Sequence, residues 1–104
     1  MAARHLQSLG YSIVETNYRT RFGEIDIVAR DGDTLIFVEV RTRQSPTTEY
    51  ALVSITPEKR EKLVKSAYTY LAGRSTPWRI DVIAVALPSS GSPIIDHVEN
   101  ALDW

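Results

Sequence analysis

The stretch Gly23-Glu24-Ile25-Asp26-Ile27-Val28-Ala29-Arg30-Asp31-Gly32-Asp33-Thr34-Leu35-Ile36-Phe37-Val38-Glu39-Val40-Arg41 decides how this chain is read. Its two halves, Glu24 to Ala29 and Thr34 to Arg41, are rich in Ile and Val and prone to strand. Asp-Gly between two such runs is a strong short-range hairpin signal. With Asp31-Gly32 as a two-residue loop, Arg30 pairs with Asp33, Phe37 falls opposite Asp26, and Glu39 falls opposite Glu24. Successive strand residues point to opposite faces. Glu24 and Asp26 therefore share a face with Glu39 and Arg41, while Ile25 and Ile27 join Ile36, Val38 and Val40 on the other.

Like charges directly opposite one another destabilise a sheet, so three converging carboxylates need a cause. Two readings compete. In the first, the patch faces water and Arg41 or Arg43 neutralises part of it. In the second, the carboxylates bind a hard divalent cation. Magnesium takes oxygen ligands, often one or two carboxylates with water and phosphate completing the shell. Such an ion polarises a phosphoryl group and generates hydroxide near neutral pH. Arg41, two residues after Glu39 on the same strand face, can reach the water or the phosphate.

Outward from the hairpin, Ala2 to Leu9 reads as the last turns of a helix, with Leu6 and Leu9 on one face and Gly10 as its stop. Tyr11 to Tyr18 reads as a strand. Residues 44–54, polar and interrupted by Pro46, read as a loop. Thr56 can cap a helix that opens on Pro57, where proline loses no hydrogen bond. Leu63, Val64, Ala67, Tyr70 and Leu71 recur at helical spacing before Gly73. Ile80 to Ala86 is a buried-looking strand, 88–93 a turn, and Ile94 to Val98 a last strand. The order predicts an α/β fold, a mixed sheet flanked by helices. At 104 residues the whole chain, 1–104, is expected to form a single domain.

Composition limits the function classes. There is no cysteine, which excludes disulfides and thiolate metal sites and suits a reducing cytoplasm. No apolar run is long enough to span a bilayer, and the first residues lack a signal-peptide layout, so a cytoplasmic protein with no membrane partner is expected. Twelve basic residues against 13 acidic ones give a formal net charge of -1. Any nucleic-acid face must then arise from local segregation of charge. Arg19, Arg21 and Arg43 flank the hairpin and are candidates for phosphate contact, as is Lys59 at the start of the long helix.

Other residues carry less. Arg79 and Asp81 alternate along an apolar strand and read as a structural ion pair at the sheet edge. His5 and His97 are far apart with no partner at ligand spacing. Tyr68, Tyr70 and Trp78 read as packing residues. Ser89-Ser90-Gly91 has no nearby His and no nucleophile-elbow context, so serine hydrolase chemistry has no support.

Gly23-Glu24-Ile25-Asp26 followed by Phe37-Val38-Glu39-Val40-Arg41-Thr42-Arg43 resembles the YraN-like family of small uncharacterised proteins. Asn17-Tyr18-Arg19, Arg79-Ile80-Asp81-Val82 and Asn100-Ala101-Leu102 resemble it too, so the likeness covers nearly the whole chain. It implies a restriction-endonuclease-like fold of the PD-(D/E)XK class, related to archaeal Holliday junction resolvases. By position, Asp26 and Glu39 would be the metal ligands, for Mg2+ or Mn2+, and Arg41 would stand at the Lys position, with Glu24 beside the site. The implied activity is endonucleolytic cleavage of DNA, branched or otherwise structured. Members of that class dimerise to engage two strands, which makes a homodimer an expectation for this chain.

Two departures set an alternative beside that activity. Arginine does not give up its proton at physiological pH, so Arg41 can clamp a phosphate but cannot be a general base. The Gly-Glu pair that related sequences carry just upstream of the Ala-Ala segment is also missing, either because the true start lies further upstream or because the site is incomplete. The alternative is a nuclease-fold module that binds nucleic acid or another partner without cleaving it.

Overall fold

The computed structural model describes residues 1–101, so Leu102 of the Asn100-Ala101-Leu102 stretch lies outside the described residues. In chain order the elements are α1 (Ala2–Ser8), β1 (Ser12–Thr20), β2 (Gly23–Asp31), β3 (Thr34–Arg43), α2 (Glu49–Val53), α3 (Pro57–Leu71), β4 (Trp78–Ala86) and β5 (Ile94–Val98). The strands form one sheet in the order β1-β2-β3-β4-β5. β3 and β4 are parallel and every other neighbouring pair is antiparallel. This is a mixed sheet with helices against it, an α/β fold consistent with a restriction-endonuclease-like architecture. A parallel pair needs a crossover, and α2 and α3 supply it.

Each face of the sheet buries its own core. On one, Leu6 and Ala2 of α1 pack on Ile27, Ala29, Ile36, Val38, Ile83 and Val85. On the other, Leu63, Ala67 and Leu71 of α3 pack on Ile25, Val28, Leu35, Phe37 and Ile80. Leu63, Ala67 and Leu71 fall one turn apart, so α3 presents one apolar stripe. Thr56 Oγ1 accepts the Lys59 amide at 3.1 Å, which caps the helix start. Trp78 meets Phe37 and Tyr68 edge to face, and Tyr70 meets Phe37 and Tyr18 likewise. Those aromatics are packing residues as expected, although Tyr68 is 60% exposed.

Three sequence expectations need correction. Residues 44–54 are not all loop, since α2 forms over Glu49–Val53 with Ala51 buried. The β2–β3 hairpin closes on Gly32-Asp33 and not on Asp31-Gly32: Asp31 pairs with Thr34 and Ile27 with Val38. A two-residue hairpin loop wants positive φ at its first position, and Gly32, at φ 59, takes that position. A closure on Asp31-Gly32 would have put that demand on an aspartate. The shift is by two residues, so every side chain keeps its face. It nonetheless moves Asp26 from opposite Phe37 to the position across from Glu39.

The third correction concerns alternation. Ile25 packs under α3 with Val28, whereas Ile27 packs under α1, so Ile25 and Ile27 do not share a face. Across from the break, between the paired Thr16 and Tyr18, Asn17 has φ 54. Asparagine tolerates that left-handed conformation better than most residues. The local reversal turns Tyr18 and Ile25 onto the α3 side, and Asp26 sits at the turn-over point.

Candidate functional site

Asp26 is where the β2–β3 ladder opens. Ordered pairing runs from Asp31↔Thr34 to Ile27↔Val38 and stops there. Beyond it the Asp26 carboxylate takes over the role of a strand: Oδ2 accepts the Val40 amide at 2.8 Å. A buried amide left unpaired would be costly, so this bond fixes Asp26 against β3. The splayed strands leave a cleft of about 130 Å³ lined by Phe22, Gly23, Glu24, Glu39, Arg41 and the α3 residues Lys59, Lys62, Leu63 and Ser66.

Glu39 lies at the cleft floor, 12% exposed, with Arg41 Nη2 at 3.0 Å from its Oε2. Burial pushes the Glu39 carboxyl up to about 7, with the charge of and hydrogen bond to Asp26 adding to the rise. Arg41 and Lys59 pull the other way and lose. Burial, more than any lack of neighbouring cations, disfavours the charge on Glu39 beside Asp26. Arg41 is 16% exposed, and its Nε is buried without a hydrogen-bond partner among the described residues. Buried donors of that kind are rare in folded proteins.

Glu24 behaves differently. It lines the cleft, but its carboxylate pairs with Arg19 Nε at 3.2 Å in a bridge that is 83% exposed on the arginine side. Such pairs contribute little. Among the described residues no three His, Asp or Glu side chains come together as a metal-holding group. Asp26 and Glu39 alone would therefore hold a cation, the rest of its shell being water or phosphate. That donor set suits magnesium.

The sequence candidates divide accordingly. Glu24, Glu39, Arg41 and Lys59 meet at the cleft, with Asp26 against Glu39. Arg21 is at the β1–β2 turn with its guanidinium 4.8 Å from the Phe22 ring centre. Arg43 is exposed at the end of β3 and donates to the Thr42 carbonyl at 2.8 Å. Neither Arg19 nor Arg43 lines the cleft. Phe22, Lys62 and Ser66 do; sequence reasoning gave Phe22 and Ser66 no part in the site and weighed Lys62 only within the basic cluster Lys59, Arg60, Lys62 and Lys65 that opens the long helix. The available signal was the stripe Lys59, Lys62, Leu63, Ser66, which shares one helical face.

The opposite face of the sheet carries a second polar cluster. Asp81 is fully buried. It accepts Arg79 Nε at 2.9 Å, Arg79 Nη2 at 3.3 Å and the Asn100 amide at 3.0 Å, and pairs with His97 Nε2 at 2.8 Å. Arg79 also donates to the Tyr11 hydroxyl at 2.9 Å, and His97 Nδ1 meets His5 Nε2 at 3.1 Å. The Arg79–Asp81 ion pair is as expected, but its place is not, since β4 lies inside the sheet with β3 and β5 on either side. His5 and His97, 92 positions apart, are brought into contact by the α1 packing. The cluster joins α1, Tyr11 just before β1, β4, β5 and Asn100 after it.

The model of the uncharacterised protein family UPF0102 matches residues 1–85, which include α1, the acidic hairpin, α3 and most of β4. The chain belongs to the UPF0102 family. A UPF0102 protein of Chloroflexus aurantiacus is 48% identical over 100 residues, covering 92% of this chain and 79% of its own. One of Streptomyces griseus is 43% identical over 101 residues, covering 93% of this chain and 85% of its own. One of Geotalea daltonii is 42% identical over 106 residues, with 99% and 84% covered. The YraN-like resemblance of the sequence is thereby borne out at the level of the UPF0102 family. No helix among the described residues is long and apolar enough to cross a membrane.

Proposed function

We propose that the cleft between β2, β3 and α3 is a phosphodiester-handling site for DNA, with Asp26 and Glu39 as the ligands of a divalent cation, Mg2+ or Mn2+. The observation that carries this reading is the Asp26–Glu39 pair itself. Glu39 lines a cleft whose walls carry Arg41, Lys59 and Lys62, Asp26 stands against it, and burial disfavours the ionised form of Glu39 despite the Arg41 guanidinium beside it. When bound, such a cation supplies Lewis-acid polarisation of the phosphoryl group and an activated water.

The chain's own residues then have distinct tasks. Arg41, anchored through Nη2 on Glu39, lines the cleft and offers its guanidinium to a phosphate oxygen. Guanidinium groups suit that role because their donors match the oxygens of a phosphate. Lys59 and Lys62 meet the flanking phosphates from one face of α3. Arg41 takes no proton from water, since its own proton is not released near pH 7. Glu24 stays paired with Arg19 in the cleft lining. The protein would act as an endonuclease on DNA.

A second reading has a specific observation behind it. The Arg41–Glu39 ion pair occupies one oxygen of a proposed ligand, as expected of a fold that keeps its grip on nucleic acid and has given up cleavage. One experiment separates the two: incubation of purified protein with linear and branched DNA in magnesium or manganese, beside Asp26→Ala and Glu39→Ala. Cleavage by the wild type alone supports the enzyme. Salt-dependent binding without cleavage, retained in both variants, selects the binding module. Identical behaviour of all three proteins in cleavage, with no salt-sensitive affinity, removes both.

A further inference from the structure

Phe22 stands at the turn between β1 and β2, on the rim of the same cleft. It belongs to none of the three hydrophobic clusters among the described residues. Its ring is flanked instead by cations, with the Arg21 guanidinium carbon 4.8 Å and the Lys65 ammonium 5.5 Å from its centre. The turn is also held in place. Thr20 Oγ1 accepts the Phe22 amide at 3.0 Å and bonds Ser66 Oγ of α3 at 2.8 Å, and Ser66 is buried. A hairpin tip normally carries small polar residues and moves freely. This one holds a half-buried aromatic ring, with cations over it, in the lining of a cleft that also carries Glu24, Glu39 and Arg41.

Resting on the phosphodiester reading above, we infer that the cleft takes an unpaired nucleotide, with its base stacked on Phe22 and its phosphate at Arg41. Two features favour this over a continuous duplex. The first is size: a cleft of about 130 Å³ admits one base-sized group, whereas a duplex keeps its bases inside the stack. The second is chemistry. Aromatic platforms bordered by cations bind single strands without sequence preference, because every base has a π face and every linkage a charge. Arg21 and Lys65 serve both needs, as cations over the ring and as neighbours of the backbone. The substrate class is DNA with an unpaired position, such as a flap, gap, fork or single strand.

The test is binding measured by fluorescence anisotropy in calcium, with a single-stranded oligonucleotide carrying one 2-aminopurine, a perfect duplex hairpin, and a flap substrate. Wild type, Phe22→Ala and Phe22→Trp are compared after thermal melts show all three folded. Stacking is worth about 1–3 kcal/mol per base, roughly five- to 150-fold in affinity. The expected result is tighter binding of the single strand and flap than of the duplex, quenching of 2-aminopurine, loss of about tenfold or more in Phe22→Ala, and recovery in Phe22→Trp. Unchanged affinity in Phe22→Ala, or unquenched 2-aminopurine, with duplex still bound, overturns this inference and leaves the phosphodiester reading standing. Failure of the wild type to bind any of the three overturns both.

Discussion

Replacing Glu39 by glutamine should stabilise this protein at alkaline pH, although it removes one partner of a buried ion pair. The reasoning starts from the Glu39 carboxyl, raised from 4.5 to about 7 chiefly by burial and then by Asp26. Between those two values the folded chain holds a proton that the unfolded chain has lost. Stability therefore falls as pH rises from about 4.5 to about 7 and stays reduced above it. At about 1.4 kcal/mol per pH unit the full effect is roughly 3 kcal/mol. That is an upper bound, since solvent reaching the cleft screens part of it. The glutamine side chain has nearly the same shape, keeps an oxygen for Arg41 and cannot ionise. Glu39→Gln is thus expected to exceed wild type by about 1–3 kcal/mol at pH 8, and to match it near pH 4.5.

The assay is thermal or urea denaturation in a metal chelator from pH 4 to 9. For a chain of this size about 1 kcal/mol moves Tm by roughly 4–8 °C, so the difference at pH 8 is readily measured. Magnesium added to wild type should narrow the gap, because a ligand that binds only the folded state stabilises it. Parallel pH profiles for the two proteins, or a variant less stable at pH 8, would refute the reasoning. That result would mean that Arg41 and Lys59 outweigh burial and Asp26.

Two further outcomes concern the opposite face of the sheet. Asp81→Ala is expected to cost about 3–5 kcal/mol in urea denaturation, because it strands Arg79 among buried groups; a loss under about 1 kcal/mol would show the network to be dispensable. His5 is held below its usual 6.5 by burial and by His97. The folded state therefore disfavours its proton, and this contribution to stability, full above 6.5, declines as pH drops below that value. A His5→Leu variant should show a flatter stability profile between about pH 6.5 and 5 than the wild type, and an unchanged slope would argue against it. The His5 and Glu39 effects run in opposite directions over overlapping ranges, so each is read as a difference between variant and wild type.

Much of the architecture was legible without coordinates, because it rests on local rules. Thr56-Pro57 opens α3, the apolar stripe ending in Leu71 fixes its buried face, and an Asp-Gly sequence between two β-prone runs announces the hairpin. The register of that hairpin was not legible to better than two residues. Asp31-Gly32 and Gly32-Asp33 are both plausible loops in composition, and only the closed backbone assigns positive φ to Gly32 alone. A slip of two residues leaves parity unchanged, so convergence of Asp26 and Glu39 survived the error, although the break at Asp26 put Ile25 on the other face.

What the sequence by itself determined is that the central hairpin carries an excess of carboxylates on one face, with an arginine two residues beyond Glu39. Side-chain parity is a property of the extended chain and needs no tertiary structure. The tertiary structure decided what those groups do. It opened the ladder at Asp26, so that the carboxylate holds the Val40 amide, and sent Glu24 to Arg19. It also laid α3 across the gap, leaving Glu39 desolvated and Arg41 Nε without a partner. Those outcomes depend on the left-handed Asn17, the break in alternation at Asp26 and the packing of a helix more than 30 residues downstream. Burial and strand divergence are set by what packs against a segment, and no local pattern in Gly23 to Arg41 encodes them.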